Sequence, residues 1–205
     1  IIKNNYDIKP ITIKRTSDYL DTVSESNIVS ASNIREKIKN NIDVKKYINY
    51  DPTFNKINED LLFNLIKYKI ITDKDLSKYL TVDEGIEYKL IKEIDSCKNL
   101  DELINKIKSK RYTFNRIRRM LIHILIGLTK EDRKKCNVEY VKVLGFDKIG
   151  QNYLKNINSN ILISSKIPNT YLTRKYELVS SKVYDIIANT NTYKYEISNK
   201  PIRKD

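Results

Sequence analysis

In the stretch INEDLLFNLIKYKI, residues 57–70, the apolar side chains Leu61, Leu62, Leu65, Ile66 and Ile70 return at spacings of three and four. With 3.6 residues to a helical turn, that spacing gathers them on one face of an α-helix. The pattern recurs in NLDELINKIKSK, where Leu100, Leu103, Ile104 and Ile107 share a side. TVDEGIEYKLIKEI is expected to place Asp83 and Glu84 in a helix first turn and Lys89 and Lys92 later, the order that the helix dipole favours. DKDLSKYL is expected to form a short helix after Thr72. Such stripes, running in series from about Val44 to Lys135 with short links, are buried only by packing on one another, and so predict a helical domain.

The two ends of the chain read differently. IKPITIKR, Ile8 to Arg15, alternates apolar and polar residues and is expected as a strand, with Pro10 near its start or on an edge. TSDYLDTVSESN reads as a loop. SASNIREKIKNN starts a helix with Ser32 or Asn33 as N-cap, and Asn33 followed by Glu36 has capping-box spacing. Beyond the helical series, EYVKVLGF, DKIGQNYLKNI and NILISSKI predict a small strand, helix, strand unit. RKYELVSSKVYDIIAN predicts a helix with Leu178, Val179, Val183, Ile186 and Ile187 on one face, and residues from Asn191 onward are expected to be a loosely held tail. The expected fold is therefore mainly α: a helical domain with a small α/β element, preceded by the last strand and helix of an α/β domain. The expected segments are 1–43, 44–165 and 166–205.

Charge narrows the partners. The chain holds 39 Lys and Arg against 26 Asp and Glu, a net charge of +13. That excess favours polyanions, because each neutralised phosphate releases counterions. It is equally what a composition saturated with Lys, Asn, Ile and Tyr produces, with lysines that only keep the surface wet. Cys97 and Cys136 form no C-x-x-C pair and are too few for a disulfide scaffold, which points to a reducing cytoplasm. No apolar run approaches the roughly 18 residues of a spanning helix, and a soluble protein without a membrane partner is expected. The chain opens at Ile1 without an initiator Met, and is expected to be a fragment of a longer protein.

Most catalytic signatures are missing. His123 is the one histidine, which excludes multi-histidine metal sites within the chain, and no metal site is expected. G-x-S-x-G, the P-loop and G-x-G-x-x-G do not occur. No catalytic residue is assigned within this sequence. His123 itself is expected to be a satisfied core histidine.

Two stretches carry binding chemistry. VSASNIREKI, Val29 to Ile38, puts small hydroxyl residues at a helix N-terminus, where free N–H groups and the dipole favour an anion, and Arg35 lies one turn later. An ordinary serine-capped helix with an exposed arginine reads the same way. KSKRYTFNRIRRMLIHIL, residues 108–125, packs six basic side chains into its first twelve residues and then turns apolar. At 100° per residue after Thr113, Ile117, Leu121, Ile124, Leu125 and Leu128 share one face, while Arg116, Arg119 and His123 share another. Basic residues at a helix N-terminus oppose the dipole, so a phosphate partner is a natural reason for them. Lys108, Lys110, Arg111, Tyr112, Arg116 and Arg119 are the candidate nucleic-acid contacts, with Tyr112 either stacking on a base or covering the helix end.

VSASNIR also resembles the I-S-[SA]-[ST]-x-[IV]-R motif of the HIGH-type nucleotidyltransferase superfamily, and IKRTSDYLD resembles the K-R-[IV]-x-x-x-Y-x-D segment that precedes it in one subgroup. EGIEYKLIKEI, KSKRYTFNRIRRMLIHIL, EYVKVLGFDKIGQNYL and KPIRKD resemble, in order, the C-terminal half of the tRNA(Met) cytidine acetate ligase family. The resemblance implies that the preceding α/β domain is Rossmann-like. It also implies an enzyme that activates acetate with ATP, with Mg2+, as acetyl-adenylate, then acetylates N4 of the wobble cytidine of elongator tRNA(Met). The family's N-P-F-H-x-G-H motif is not in this sequence, so the resemblance implies a C-terminal portion that is inactive alone. It places Arg15 and Thr16 where the subgroup has an Arg-Ile pair lining the ATP site, Thr16 standing for the usual Ile, and Ser30, Ser32 and Arg35 on the phosphate side. Two other readings stay open: a basic helical RNA-binding module without chemistry, and a nucleotidyltransferase with a small-molecule acceptor.

Overall fold

The computed structural model describes residues 9, 11–14, 29–48, 57–157, 161–162 and 164–204. The chain divides into two compact units, Ile1–Phe54 and Asn55–Asp205.

In the first unit, helix α1 spans Ala31–Lys39. Its N-cap is Ser30, not Ser32 or Asn33. Ser30 has extended backbone, φ −69° and ψ 153°, and its Oγ accepts from the Asn33 N–H at 3.2 Å. Asn33 is thus the third helical residue, the one whose amide is capped. Lys9 and residues 11–14 form no strand, and Ile11 and Ile13 are exposed. Alternation marks a segment able to pair, but a strand also requires a neighbour, and none pairs with these positions among the described residues. The rest of that expected strand, and the loop after it, lie outside the described residues.

The second unit is built on helices α2 (Glu59–Thr72), α3 (Ile86–Glu93), α4 (Leu100–Ile107) and α5 (Phe114–Ile126). Asn58 and Asn99 cap α2 and α4 by accepting from the amides of Leu61 and Glu102 at 3.0 and 2.8 Å. The expected stripes form the core: Leu62, Ile66 and Ile70 with Phe63 from α2, all four apolar residues of α4, and Ile117, Met120, Leu121 and Ile124 from α5. Helix α5 packs against α2, α4 and the later α8 (Leu172–Ala188), and α3 lies on α4.

Two helix starts differ from expectation. DKDLSKYL is a series of turns, because Asp73 Oδ1 accepts from the Asp75 amide and Asp75 Oδ1 from the Ser77 amide. Aspartates that bond the backbone two residues on compete with helix formation. Leu76 and Tyr79 are still buried there. Asp83 and Glu84 precede α3 instead of opening it, since Gly85 is the N-cap in left-handed backbone, φ 78°. Their charges go to Lys130 and Arg111.

The short helix α6 (Lys130–Lys135) leads into β1 (Val141–Lys142), β2 (Gly145–Phe146), α7 (Lys148–Asn156) and β3 (Ile161–Leu162). β1 and β3 pair in parallel, as the expected strand, helix, strand unit requires. Residues from Asn191 onward are not a loose tail. They form α9 (Thr192–Ser198) and β4 (Ile202–Arg203), which pairs in parallel with β2. Asp185 accepts from the amides of Thr192 and Tyr193, holding the start of α9 against the end of α8. Among the described residues, no helix is long and apolar enough to cross a membrane.

Helix α8 departs most from its apolar pattern. Ile186 is exposed, whereas Arg174, 1% exposed, and Ser181 are buried. Arg174 donates to Glu177 and to the Glu196 backbone carbonyl, and Lys142 pairs with both Glu177 and Glu196. This ion cluster joins α8, α9 and β1. Burial works to raise the Glu177 carboxyl, but hydrogen bonds from Lys142, Tyr140 and Arg174 outweigh it and hold Glu177 well below the usual carboxylate range.

Removing one member of such a cluster strands a buried charge. Arg174→Ala is expected to lower stability by roughly 3–5 kcal/mol in urea unfolding, while Lys135→Ala, which breaks an exposed pair with Glu131, leaves the midpoint unchanged. A carboxyl depressed on folding contributes stability above its unfolded pKa, near 4.5 for Glu177, and loses it as pH falls toward its folded value. The urea midpoint should therefore drop below pH 4.5, and drop less steeply in Glu177→Gln.

Candidate functional site

The basic end of α5 is fixed by the apolar end. Ile117, Met120, Leu121 and Ile124 are fully buried, so the helix has no freedom to rotate and its first turn emerges at a set position. Tyr112, just before it, is also buried, and its hydroxyl donates to the Asp83 carbonyl at 2.7 Å. The Arg116 guanidinium lies over the Tyr112 ring, 4.2 Å from its centroid, and donates to the Arg111 carbonyl at 2.9 Å. Tyr112 therefore covers the helix end and holds Arg116, the second of the two readings of this tyrosine.

The other cations differ in what they touch. Arg111 pairs with Glu84 at 2.8 Å, with both side chains well exposed, a contact that solvent weakens and a phosphate can replace. Among the described residues Lys108 reaches only Asn105. Lys110 and Arg119 are exposed and pair with no carboxylate among the described residues. Helix α5 has no acid in its first turn, so dipole and side chains add to one positive end.

The 80–85 loop supports this end. Thr81, Glu84 and Gly85 all have left-handed backbone, φ 67°, 57° and 78°, and a β-branched residue there is strained. The surrounding bonds hold it in place. Lys130 donates to the Val82 carbonyl at 2.7 Å, and His123 Nδ1 lies 3.2 Å from the Leu80 carbonyl and 3.1 Å from Thr81 Oγ1. Burial pushes His123 below its ordinary value, the Leu80 carbonyl opposes this, and Arg119 adds to the lowering. A neutral imidazole donating from Nδ1 to Leu80 fits that arrangement. Between this loop and the start of α5 lies a cavity of about 130 Å³ lined by Glu84, Gly85, Lys89, Ser109, Arg111 and Tyr112.

Sequence reasoning missed Lys89, Lys130 and Glu84 as parts of this surface. The register that would have shown Lys89 and Glu84 near Arg111 depends on the left-handed turn before α3, and a glycine was its only signal.

In the first unit, Ser30 is buried, Ser32 half-buried and Arg35 exposed on α1. The Asn33 and Ile34 amides are taken by the side chain and carbonyl of Ser30. The amides of Ala31 and Ser32 have no protein acceptor among the described residues, which leaves two donors at the positive end of the helix. Arg15 and Thr16 lie outside the described residues. Among the described residues, no three His, Cys, Asp or Glu side chains group as metal ligands.

Comparison with known proteins places the chain in a family. The HIGH Nucleotidyl Transferase family matches residues 1–200. A protein named tRNA(Met) cytidine acetate ligase from Clostridium perfringens (strain ATCC 13124) is 36% identical over 97% of this chain and 51% of its own length. One of the same name from Clostridium novyi (strain NT) is 35% identical over 98% of this chain and 56% of its own. The chain spans about half the length of the curated relatives it matches. The crystal structure of apo Thermotoga maritima TmcAL superposes with a TM-score of 0.72 at 20% identity, covering 98% of this chain and 57% of that one. The same protein bound with alpha-thio ATP gives 0.66 at 18%, covering 86% and 52%. At those identities the structures show a shared fold. The family match, which runs over nearly the whole sequence, shows more: the chain belongs to the HIGH nucleotidyl transferase family.

Proposed function

We propose that this chain serves as part of a tRNA(Met) cytidine acetate ligase, the C-terminal part by the order of its motifs, and works in the cytoplasm on elongator tRNA(Met). Residues 1–43 belong to the nucleotide-binding domain, 44–165 to the helical domain with its α/β unit, and 166–205 to a C-terminal helical segment. The observation that carries the reading is the basic start of α5. Arg116, in its first turn, is held by Tyr112, while Lys110 just before the helix and Arg119 in its second turn have no carboxylate partner among the described residues. A fixed guanidinium with exposed cations beside it at a rigid helix end suits the sugar-phosphate backbone of a folded RNA, which is bound by shape and charge.

On the nucleotide side, the Ala31 and Ser32 amides, the Ser30 and Ser32 hydroxyls and exposed Arg35 are the right donors for ATP phosphates, and Arg15 and Thr16 are assigned to the same site. Arg35 would balance charge gathering on departing pyrophosphate. ATP supplies the adenylyl group that activates acetate. The acetyl group then passes to N4 of the wobble cytidine, with AMP leaving. Mg2+, which the family resemblance implies, would offset the charge of the ATP phosphates; among the described residues no group of three His, Cys, Asp or Glu side chains is placed to hold it. The HxGH motif of the family lies outside this sequence, so the chain alone is assigned no turnover.

Two measurements separate this reading from its rivals. In fluorescence titration with tRNA(Met), the double variant Arg116→Ala/Arg119→Ala should bind about tenfold or more weakly, with the salt slope reduced by roughly 1.4–1.8 for two lost phosphate contacts. Absence of tRNA binding by the unaltered chain would sink the proposal and favour a small-molecule acceptor. In the ligase that contains this chain, Arg35→Ala should depress acetate-dependent pyrophosphate exchange while leaving tRNA affinity intact. A protein that binds tRNA but shows no such exchange is an RNA-binding module.

A further inference from the structure

A groove of about 750 Å³ runs beside β4, and none of its lining residues belongs to the α5 cluster. Phe146, Lys200 and Arg203 line it, with the hydroxyls of Ser165 and Ser198 and the apolar wall of Ile197. The sheet builds this arrangement. Gly145 pairs with Ile202 and Phe146 with Arg203, so neighbouring strands carry the ring and the guanidinium at matched positions. Glycine at 145 lets the strands approach closely, since a Cβ there would stand 3.0 Å from the Ile202 carbonyl oxygen. Backbone bonds from the Ile202 amide to Leu144 and from the Lys204 amide to Phe146, both 3.0 Å, hold the register. The Arg203 guanidinium then lies 5.6 Å from the Phe146 ring centroid.

Among the described residues no carboxylate lines the groove, and Glu196, beside Ile197 in sequence, is already occupied by Lys142 and Arg174. Lys200 and Arg203 pair with no acid among the described residues. An aromatic ring with the Arg203 guanidinium over it, the Lys200 ammonium and the Ser165 hydroxyl form a platform for a base beside donors for a phosphate and a ribose, while the Ser198 hydroxyl donates to the Lys194 carbonyl and is left to accept. The cations are spaced along a strand end without an amide cradle. That suits singly charged phosphodiesters better than a triphosphate.

We propose that this groove binds an unpaired nucleotide of single-stranded RNA, with its base on the Phe146–Arg203 pair and its backbone phosphate on Lys200. The choice of RNA rests on the tRNA reading above; the nucleotide chemistry rests on the groove alone.

The test is fluorescence anisotropy of the full 205-residue chain with a short, unstructured, labelled oligoribonucleotide. Lys200→Ala/Arg203→Ala should weaken binding about tenfold and reduce the salt slope by up to roughly 1.4. Phe146→Leu should weaken it several-fold with the slope unchanged, a split that general unfolding does not produce, and thermal melts of each variant check the fold. Wild-type affinity in the double variant overturns the site. Displacement of the oligonucleotide by equimolar ATP also overturns it, in favour of a mononucleotide site. Arg116→Ala/Arg119→Ala should weaken oligonucleotide binding less than Lys200→Ala/Arg203→Ala does; an equal or larger loss there would move the contact to α5 and overturn the groove. Oligonucleotide binding through Phe146 and Arg203 without tRNA binding supports the groove and sinks the tRNA reading.

Discussion

Burial of the apolar face of α5 is the constraint that sets the candidate tRNA surface. Ile117, Met120, Leu121 and Ile124 are closed off from water against α2, α4 and α8. Truncating such a side chain typically costs about 2–5 kcal/mol, so the helix sits in one rotational setting. That setting dictates where Arg116 and Arg119 emerge. A cation on a mobile loop loses conformational entropy when it meets a phosphate, whereas Arg116 has already lost it against Tyr112. The packing of the core thereby lowers the cost of binding at its edge.

The C-terminal part is held by a different kind of interaction. Its strands are two residues each, too short to stabilise themselves, and its helices α7, α8 and α9 bury few apolar side chains. Arg174, Lys142, Glu177 and Glu196 instead cross-link α8, α9 and β1, and Asp185 fastens the amides of α9. Tyr176 reaches Asp132 in α6. Charged networks of this kind specify one arrangement, because any slippage leaves a buried ion without its partner. The placement of β4 beside β2 belongs to that arrangement.

Legibility in the sequence tracks the physics of each element. Periodic apolar residues report burial directly, so α2, α4 and α5 could be read with their buried residues named, as could the strand, helix, strand order around α7. Polar side chains that act on the backbone were misread. The aspartates of DKDLSKYL make turns, Ser30 caps α1 in place of Ser32 or Asn33, and Asp185 organises a stretch whose composition suggests a loose tail. Arg174 was invisible for a related reason: an arginine in a helix looks solvent-facing until its acids, one of them twenty-two residues away, are brought to it. On α5 the cluster of cations was legible, but not which of them would be held. The Tyr112 bond to Asp83 depends on a left-handed turn between two helices.

The net charge of +13 is therefore a weaker guide to function than the setting of each cation. Lys69, Lys78, Lys106, Lys130, Lys142 and Arg174 each face a carboxylate and serve the fold. Lys110 and Arg119 at the start of α5, and Lys200 and Arg203 along β4, face none among the described residues. An unpaired lysine standing alone on the surface does no more than hydrate it. These two places differ, because one lies beside a tyrosine-locked arginine and the other beside a phenylalanine ring, and each combines positive charge with a rigid flat group. That combination is what the two proposed nucleic-acid contacts share, because phosphate and base are recognised together.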